Sequence, residues 1–303
     1  MTRPDDSTLS PDDLKAIQKQ ARKLMDKADA WDIYPVPLEQ ILDAANVRVA
    51  HRSAFDLAEF LEFARDKAIE VGSKVKKAIS KTFGLYDAGD ALIHIDESVK
   101  PSKQTFLTLH ETGHHSIPTH RKMFRLFQDC EQTLHPDIAD QFEREANNFA
   151  RYVLFKGTAY MEQAADHPFG IKTPIKLAKT FGSSLYASAR EFARTNAKAC
   201  VVFVLEPVEF CDGIGPLAQV RRVEPSPEFL MRFGRPTDRA VDENHVLWPV
   251  VPIDRKMSRP TPMQLTDRNG AVHDCLAEAF DTTHNILILL YPVSELRPQI
   301  SVS

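Results

Sequence analysis

This chain of 303 residues is poor in cysteine: its four, Cys130, Cys200, Cys211 and Cys275, lie far apart, none in a C-x-x-C spacing. That scatter excludes a cysteine-ligated zinc finger and a disulfide framework, and it fits free or buried thiols in a reducing compartment. A Cys200 to Cys211 pair across a hairpin is conceivable but not favoured. Long apolar runs are missing as well. Val201 to Leu205 and Ile286 to Tyr291 have the length of strands, far short of the ~20 residues of a membrane-crossing helix. Met1 to Ser7 are polar and acidic and lead into a charged helical pattern. The apolar segment of a secretory leader is therefore absent, and a cytoplasmic location with no membrane partner is expected. Charge of one sign is lacking too: 38 Lys and Arg against 42 Asp and Glu leave a net charge of -4. Such a balance gives no bulk attraction to nucleic acid or anionic lipid, although a local basic patch could still form. The chain has no internal repeat and no low-complexity tract.

What the chain does carry is His110-Glu111-Thr112-Gly113-His114, an H-E-x-x-H pattern. On a helix the two histidines, four residues apart, project from one face and can ligate a single zinc ion. Glu111 then sits beside the open coordination position, where a carboxylate can take a proton from a metal-bound water. This is the core of a zinc hydrolase, most often a peptidase. Five residues alone arise by chance too readily to decide the matter, so context has to carry it. Ser102 offers an N-cap, and apolar residues at helical spacing follow, with Leu107 on the histidine side and Phe106 and Leu109 flanking it. A helix over about 102–116 is expected, partly buried with its histidines inward.

The third ligand that a catalytic zinc requires can come from Asp140 to Ala150, in a long helical pattern from Pro136 to Phe155. Glu143 and Glu145 are two residues apart and point to different faces, so at most one can face both histidines. Glu143 shares a face with Asn147, and Glu145 with Phe149. For an oxyanion donor the chain offers His115, His120 and Tyr152. His115 is about 100° off the ligand face, His120 reads as a loop residue, and Tyr152 as a packing residue.

Around these blocks the pattern is mixed. Ser10-Pro11-Asp12-Asp13 opens a helix to about Lys27, and Pro37 starts a short one to Ala45, followed by a strand at Val47 to Ala50. Phe55 to Lys81 reads as a helix whose Lys74, Lys76, Lys77 and Lys81 form a solvated face. Gly84 to Tyr86 and Ala91 to Ile95 read as a hairpin turning at Asp87 to Asp90. Arg121 to Leu134 reads as a helix. Ile171 to Arg194 reads as two helices broken at Gly182, a spacing also found in helix-turn-helix DNA readers but more often in plain packing pairs. Beyond Ala199 strands dominate: Val201 to Leu205, His245 to Val251, Met263 to Leu265 paired with Ala271 to Phe280 through Asp267-Arg268-Asn269-Gly270, and His284 to Tyr291 closing the sheet. Glu206 to Leu217 reads as loop, Pro225 to Phe233 as a short helix and Asp254 to Pro262 as a polar loop.

The hairpin, the segment Phe106 to His114, the later Glu143-Arg144-Glu145-Ala146-Asn147-Asn148-Phe149-Ala150 and the Leu177 to Arg194 pair together resemble the ImmA/IrrE family of metallopeptidases over residues 12 to 195. That family couples H-E-x-x-H to a downstream E-x-E-A-N-x-F-A helix. The resemblance implies an α+β fold: a mainly helical, zincin-like metallopeptidase domain with a small β-sheet at 1–197, including a helix-turn-helix-like pair at 172–195. A strand-rich α+β accessory domain at 198–303, with a sensing or substrate-recognition role, completes the division. It implies Zn2+ held by His110, His114 and Glu143, with Glu145 as the fallback ligand, Glu111 as the catalytic base and Asn147 supporting the site. It further implies an intracellular protease whose protein substrate is a helix-turn-helix repressor, so that cleavage induces stress-response or mobile-element genes. Rival readings are a DNA-binding or ligand-sensing regulator on a degenerate protease scaffold, and a toxin-antitoxin partner that binds without cutting. Three features depart from the family pattern: Thr112 stands where a large apolar residue is usual, no proline ends the second helix near Phe155-Lys156, and Phe55 to Lys81 is an insertion.

Overall fold

A computed structural model describes residues 7–52, 84–87, 91–96, 99–128, 136–211, 213 and 215–296. The helix expected over Phe55 to Lys81, the turn at 88–90 and Cys130 lie outside those residues. The fold is α+β, as expected, and the chain divides into two compact units. The helical unit comprises Asp5–Gly157 with Thr180–Ser183, and the sheet unit comprises Thr158–Lys179 with the residues from Ser184 onward. The change of composition near residue 197 falls inside the second unit, because the helices of residues 159–195 cluster with the sheet that follows them.

In the helical unit, α1 (Pro11–Lys27) begins where its residues dictate: the Ser10 hydroxyl accepts from the Asp13 amide at 3.2 Å, Pro11 opens the first turn, and Asp12 and Asp13 lie at the positive end of the helix. Ile17, Ala21, Leu24 and Met25 form its buried face. After α2 (Leu38–Ala45) come β1 (Arg48–Arg52), β2 (Gly84–Asp87) and β3 (Leu92–Asp96). They form a three-stranded sheet in the order β1-β3-β2, with β2 antiparallel and β1 parallel to β3. The β2–β3 pairing is the one expected.

Next comes α3 (Pro101–Ser116), carrying the H-E-x-x-H residues, then α4 (Pro118–Gln128) and α5 (Pro136–Leu154). The expected cap at Ser102 is a correction. Lys100 occupies the cap position without a side-chain hydrogen bond and Pro101 opens the helix, its missing N–H costing nothing there. Every residue from Thr108 to His115 is buried, as suits a helix packed on all sides. Leu107 packs toward the small core of Val47, Ile93 and Ile95, and α5 lies along another face of α3.

The sheet unit contains α6 (Ala159–Ala165), most of α7 (Lys172–Phe181), α8 (Leu185–Thr195) and seven strands. These are β4 (Val201–Leu205), β5 (Glu209–Cys211), β6 (Gly215–Pro225), β7 (Ala240–Asp242), β8 (Thr261–Thr266), β9 (Val272–Asp281) and β10 (Ile286–Pro292), with α9 (Pro227–Phe233) after β6. The order is β5-β6-β4-β10-β9-β8 with β7 against β6, and every pairing is antiparallel. Val201, Phe203 and Leu205 share a core with Ile286, Ile288 and Leu290. The intervening Val202, Val204, Leu287 and Leu289 are buried on the opposite face. Strand β10 therefore lies at the centre of the sheet and does not close it, since a run apolar on both faces is stable only where both are covered.

Two further expectations are corrected. Glu206 to Leu217 contains β5 and the start of the long β6. His245 to Val251 is no strand but ends in a tight helical turn, Trp248–Val250, whose Pro249 cannot donate to a ladder. Cys200, Cys211 and Cys275 are free thiols, as their scatter suggests, and burial pushes Cys200 up to about 12.

Candidate metal centre

The centre is built where α3 and α5 meet, and their close approach depends on Gly113. A Cβ added there would stand 3.1 Å from Cδ1 of Phe149 and 3.3 Å from its Cβ. Thr112 is fully buried beside it, and its hydroxyl donates to the Thr108 carbonyl at 2.7 Å, which settles the one polar group that this departure from the family pattern introduces.

His110 and His114 present their Nε2 atoms 3.2 Å apart. Glu143 closes the triangle, with Oε2 3.3 Å from His110 Nε2 and Oε1 3.5 Å from His114 Nε2. These residues are the group among the described residues whose ligand atoms converge for a metal ion. Donors held at 2.0–2.1 Å around a tetrahedral zinc stand about 3.3 Å from one another, so the spacing fits that ion. The other nitrogen of His110, Nδ1, lies 3.1 Å from Oδ1 of Asn147, an acceptor that keeps the proton on Nδ1 and leaves a lone pair at Nε2. Asn147 thus supports the ring, as the family resemblance implies.

Electrostatics point the same way. Burial works to lower His110, but the hydrogen bond and charge of Glu143, with help from Glu111 and Asn147, lift it to about 9. Burial, with the charge of His110, takes His114 down to about 4, against the pull of Glu143. Burial would raise Glu143, yet the two histidines outweigh it and hold its carboxyl far below the usual range. The trio is balanced by positive charge at its centre, which a divalent cation would provide. Glu111 is 4% exposed, and burial pushes its carboxyl up to about 7, with His110 pulling it back and Glu143 adding to the rise. A carboxyl poised there can both accept and return a proton near neutral pH. Glu143's side chain is 56% exposed, so the centre opens to solvent on that side.

Other expected residues fall elsewhere. Glu145 turns away from the two Nε2 atoms and contacts His120 at 2.7 Å. His120 is not in a loop: it lies in α4, fully buried, with its ring stacked on Phe142 at 4.0 Å. Its Nδ1 is 3.1 Å from Nδ1 of His114. The Tyr152 hydroxyl accepts from Arg22 at 3.3 Å and its ring meets Trp31 edge-on, which places it on the α1 side of α5. His115 is buried but is not one of the three converging residues. The link from His120 to His114 is invisible to sequence periodicity, because Ser116 ends one helix and Pro118 starts another.

Residues 65–191 match the family described as Peptidase_M78, IrrE N-terminal-like domain. The matched segment is thus similar to an IrrE N-terminal-like domain, and it contains the candidate His-His-Glu metal site. A solved structure of a Mycobacterium tuberculosis transcriptional regulator is similar in fold, with a TM-score of 0.51 and 10% sequence identity over 97% of this chain and 92% of that one. No curated protein matches the chain. Among the described residues no helix is long and apolar enough to cross a membrane.

Proposed function

We propose that this protein is a zinc-dependent endopeptidase that cleaves a regulatory protein, a helix-turn-helix repressor, through the centre formed by His110, His114, Glu143 and Glu111. The observation that carries this reading is the convergence of His110 and His114 of α3 with Glu143 of α5, beside Glu111, a buried carboxyl pushed up to about 7. A divalent cation held by His110, His114 and Glu143 would supply Lewis acidity, acidifying a water molecule and polarising a peptide carbonyl. Glu111 accepts the proton of the attacking water and returns it to the leaving amine. Asn147 keeps His110 in the ligating tautomer, and the exposed side of Glu143 leaves room for a peptide to approach.

A non-proteolytic regulator is the second reading, favoured by the similar fold of a protein described as a transcriptional regulator. The helix pair weighs against reading DNA through α8. Ser188 to Ala193 are buried, and Arg190 and Arg194 both reach Glu224 at 2.9 Å. The test is cleavage of the helix-turn-helix regulator encoded nearest to this chain's gene, with metal content measured in the same samples. The wild type should cut it, while Glu111→Gln should retain about one zinc per chain and cut nothing. Unchanged cleavage by Glu111→Gln would overturn the mechanism, and a wild type without zinc would favour the second reading.

A further inference from the structure

We propose that His120 and Glu145 are positioning residues that fix the tautomer and orientation of His114; the inference rests on the metal-site reading given above. Neither residue reaches the converging ligand atoms, yet both are held with more care than packing demands. His120 is fully buried, stacked on Phe142, with each ring nitrogen within hydrogen-bond distance of a partner: Nε2 is 2.7 Å from Oε2 of Glu145, and Nδ1 is 3.1 Å from Nδ1 of His114. Gln141 donates to the other oxygen of Glu145 at 2.9 Å and so fixes the carboxylate itself.

Counting protons along this chain gives it a direction. A carboxylate only accepts, so His120 donates through Nε2–H to Glu145. A neutral His120 then has a lone pair on Nδ1, and the facing nitrogen of His114 must be the donor. With its proton on Nδ1, His114 carries its lone pair on Nε2, the atom 3.2 Å from His110 Nε2. The reverse arrangement, with a proton on His120 Nδ1, would make His114 Nδ1 the acceptor and put the remaining ring proton on Nε2, where it would block ligation. Glu145 thus decides at two removes which nitrogen of His114 is free for the metal, and its negative charge raises the basicity of that nitrogen. The same task is done for His110 in one step by Asn147. The two acidic residues of α5 have divided the work: Glu143 faces the metal position, and Glu145, two residues on and therefore on another face, supports the histidine.

The experiment uses the full chain, stripped of metal and titrated with Zn2+ against a chromophoric chelator, and separately with Co2+ while its visible absorption is recorded. Glu143→Ala tests the site itself and should lose tight binding. His120→Phe and Glu145→Leu should each still bind one ion per chain, but with affinity lowered roughly ten- to a hundredfold and shifted Co2+ bands. Glu145→Gln, whose amide oxygen still accepts from His120, should recover most of the affinity, a rescue that a purely structural role would not require. If His120→Phe fails to fold, the contrast between Glu145→Leu and Glu145→Gln decides alone. The proposal is overturned if both Glu145→Leu and His120→Phe bind Zn2+ within about twofold of wild type with an unchanged Co2+ spectrum while Glu143→Ala has lost it. Wild-type binding by Glu143→Ala overturns the metal-site reading itself. Loss of all binding in Glu145→Leu alone makes Glu145 a ligand and overturns the positioning role.

Discussion

The helical and sheet units bury polar groups to opposite ends. In the sheet unit Glu224 is enclosed by Arg190 and Arg194, each at 2.9 Å, and the ion cluster is complete as the chain folds. In the helical unit His110, His114 and Glu143 are brought together with their ligating atoms facing one another, a grouping that could hold a metal ion. Buried charge is costly unless paired. A cluster that pairs internally serves stability, whereas one that leaves its centre to an ion makes stability conditional on that ion. The contrast separates scaffold from site without reference to any relative.

Metal removal should break the symmetry between the units most strongly. At a free-ion concentration a thousandfold above Kd, binding contributes about 4 kcal/mol. Chelation should therefore weaken hydrogen-exchange protection in α3 and α5 by up to that amount and leave β4 and β10 unchanged. Glu224→Ala should do the reverse, lowering the stability of the sheet unit by about 3 kcal/mol in urea unfolding because two largely buried arginines lose their partner, with zinc affinity unaffected.

Acid sharpens the same point. Burial would raise the Glu224 carboxyl, but Arg194 and Arg190 outweigh it and hold it below its ordinary value of 4.5. A group depressed by folding contributes stability that is complete above its unfolded pKa and lost as pH falls through the folded one. The sheet unit should accordingly lose stability as pH drops below about 4.5, and Glu224→Gln should flatten that part of the profile. Gly113→Ala is a smaller perturbation. Overpacking against Phe149 costs about 1–3 kcal/mol, offset by about 1 kcal/mol of helix propensity. The net loss of about 1 kcal/mol should appear in the helical unit together with weaker zinc binding. Smallest of all, Phe210→Ser on β5, where the side chain is 78% exposed, should change the melting free energy by less than about 0.5 kcal/mol.

Much of the helical unit was legible in the sequence because its signals are local. The cap at Ser10 with Pro11, the four-residue spacing of His110 and His114, and the shared face of Glu143 and Asn147 all follow from helix geometry. The sheet unit was read less well. Strand β6 carries no clear period in its sequence because its register against β4 shifts between Val204 and Leu205, so its buried Ala218, Val220, Arg222 and Val223 do not alternate. The segment 245–251 looked strand-like from its apolar residues, but Pro249 turned it.

The sequence by itself determined that two histidines would share a helix face, that a carboxylate would follow the first, and that a second helix could offer at most one of two acidic residues to them. Tertiary structure alone decided that Glu143 takes that place, that Glu145 is turned to His120, and that His120, six residues beyond His114, returns to touch its ring. The reason is physical: periodicity fixes directions within one helix, whereas contact between helices depends on how closely they approach, and here that approach is set by the bare backbone of Gly113 against Phe149.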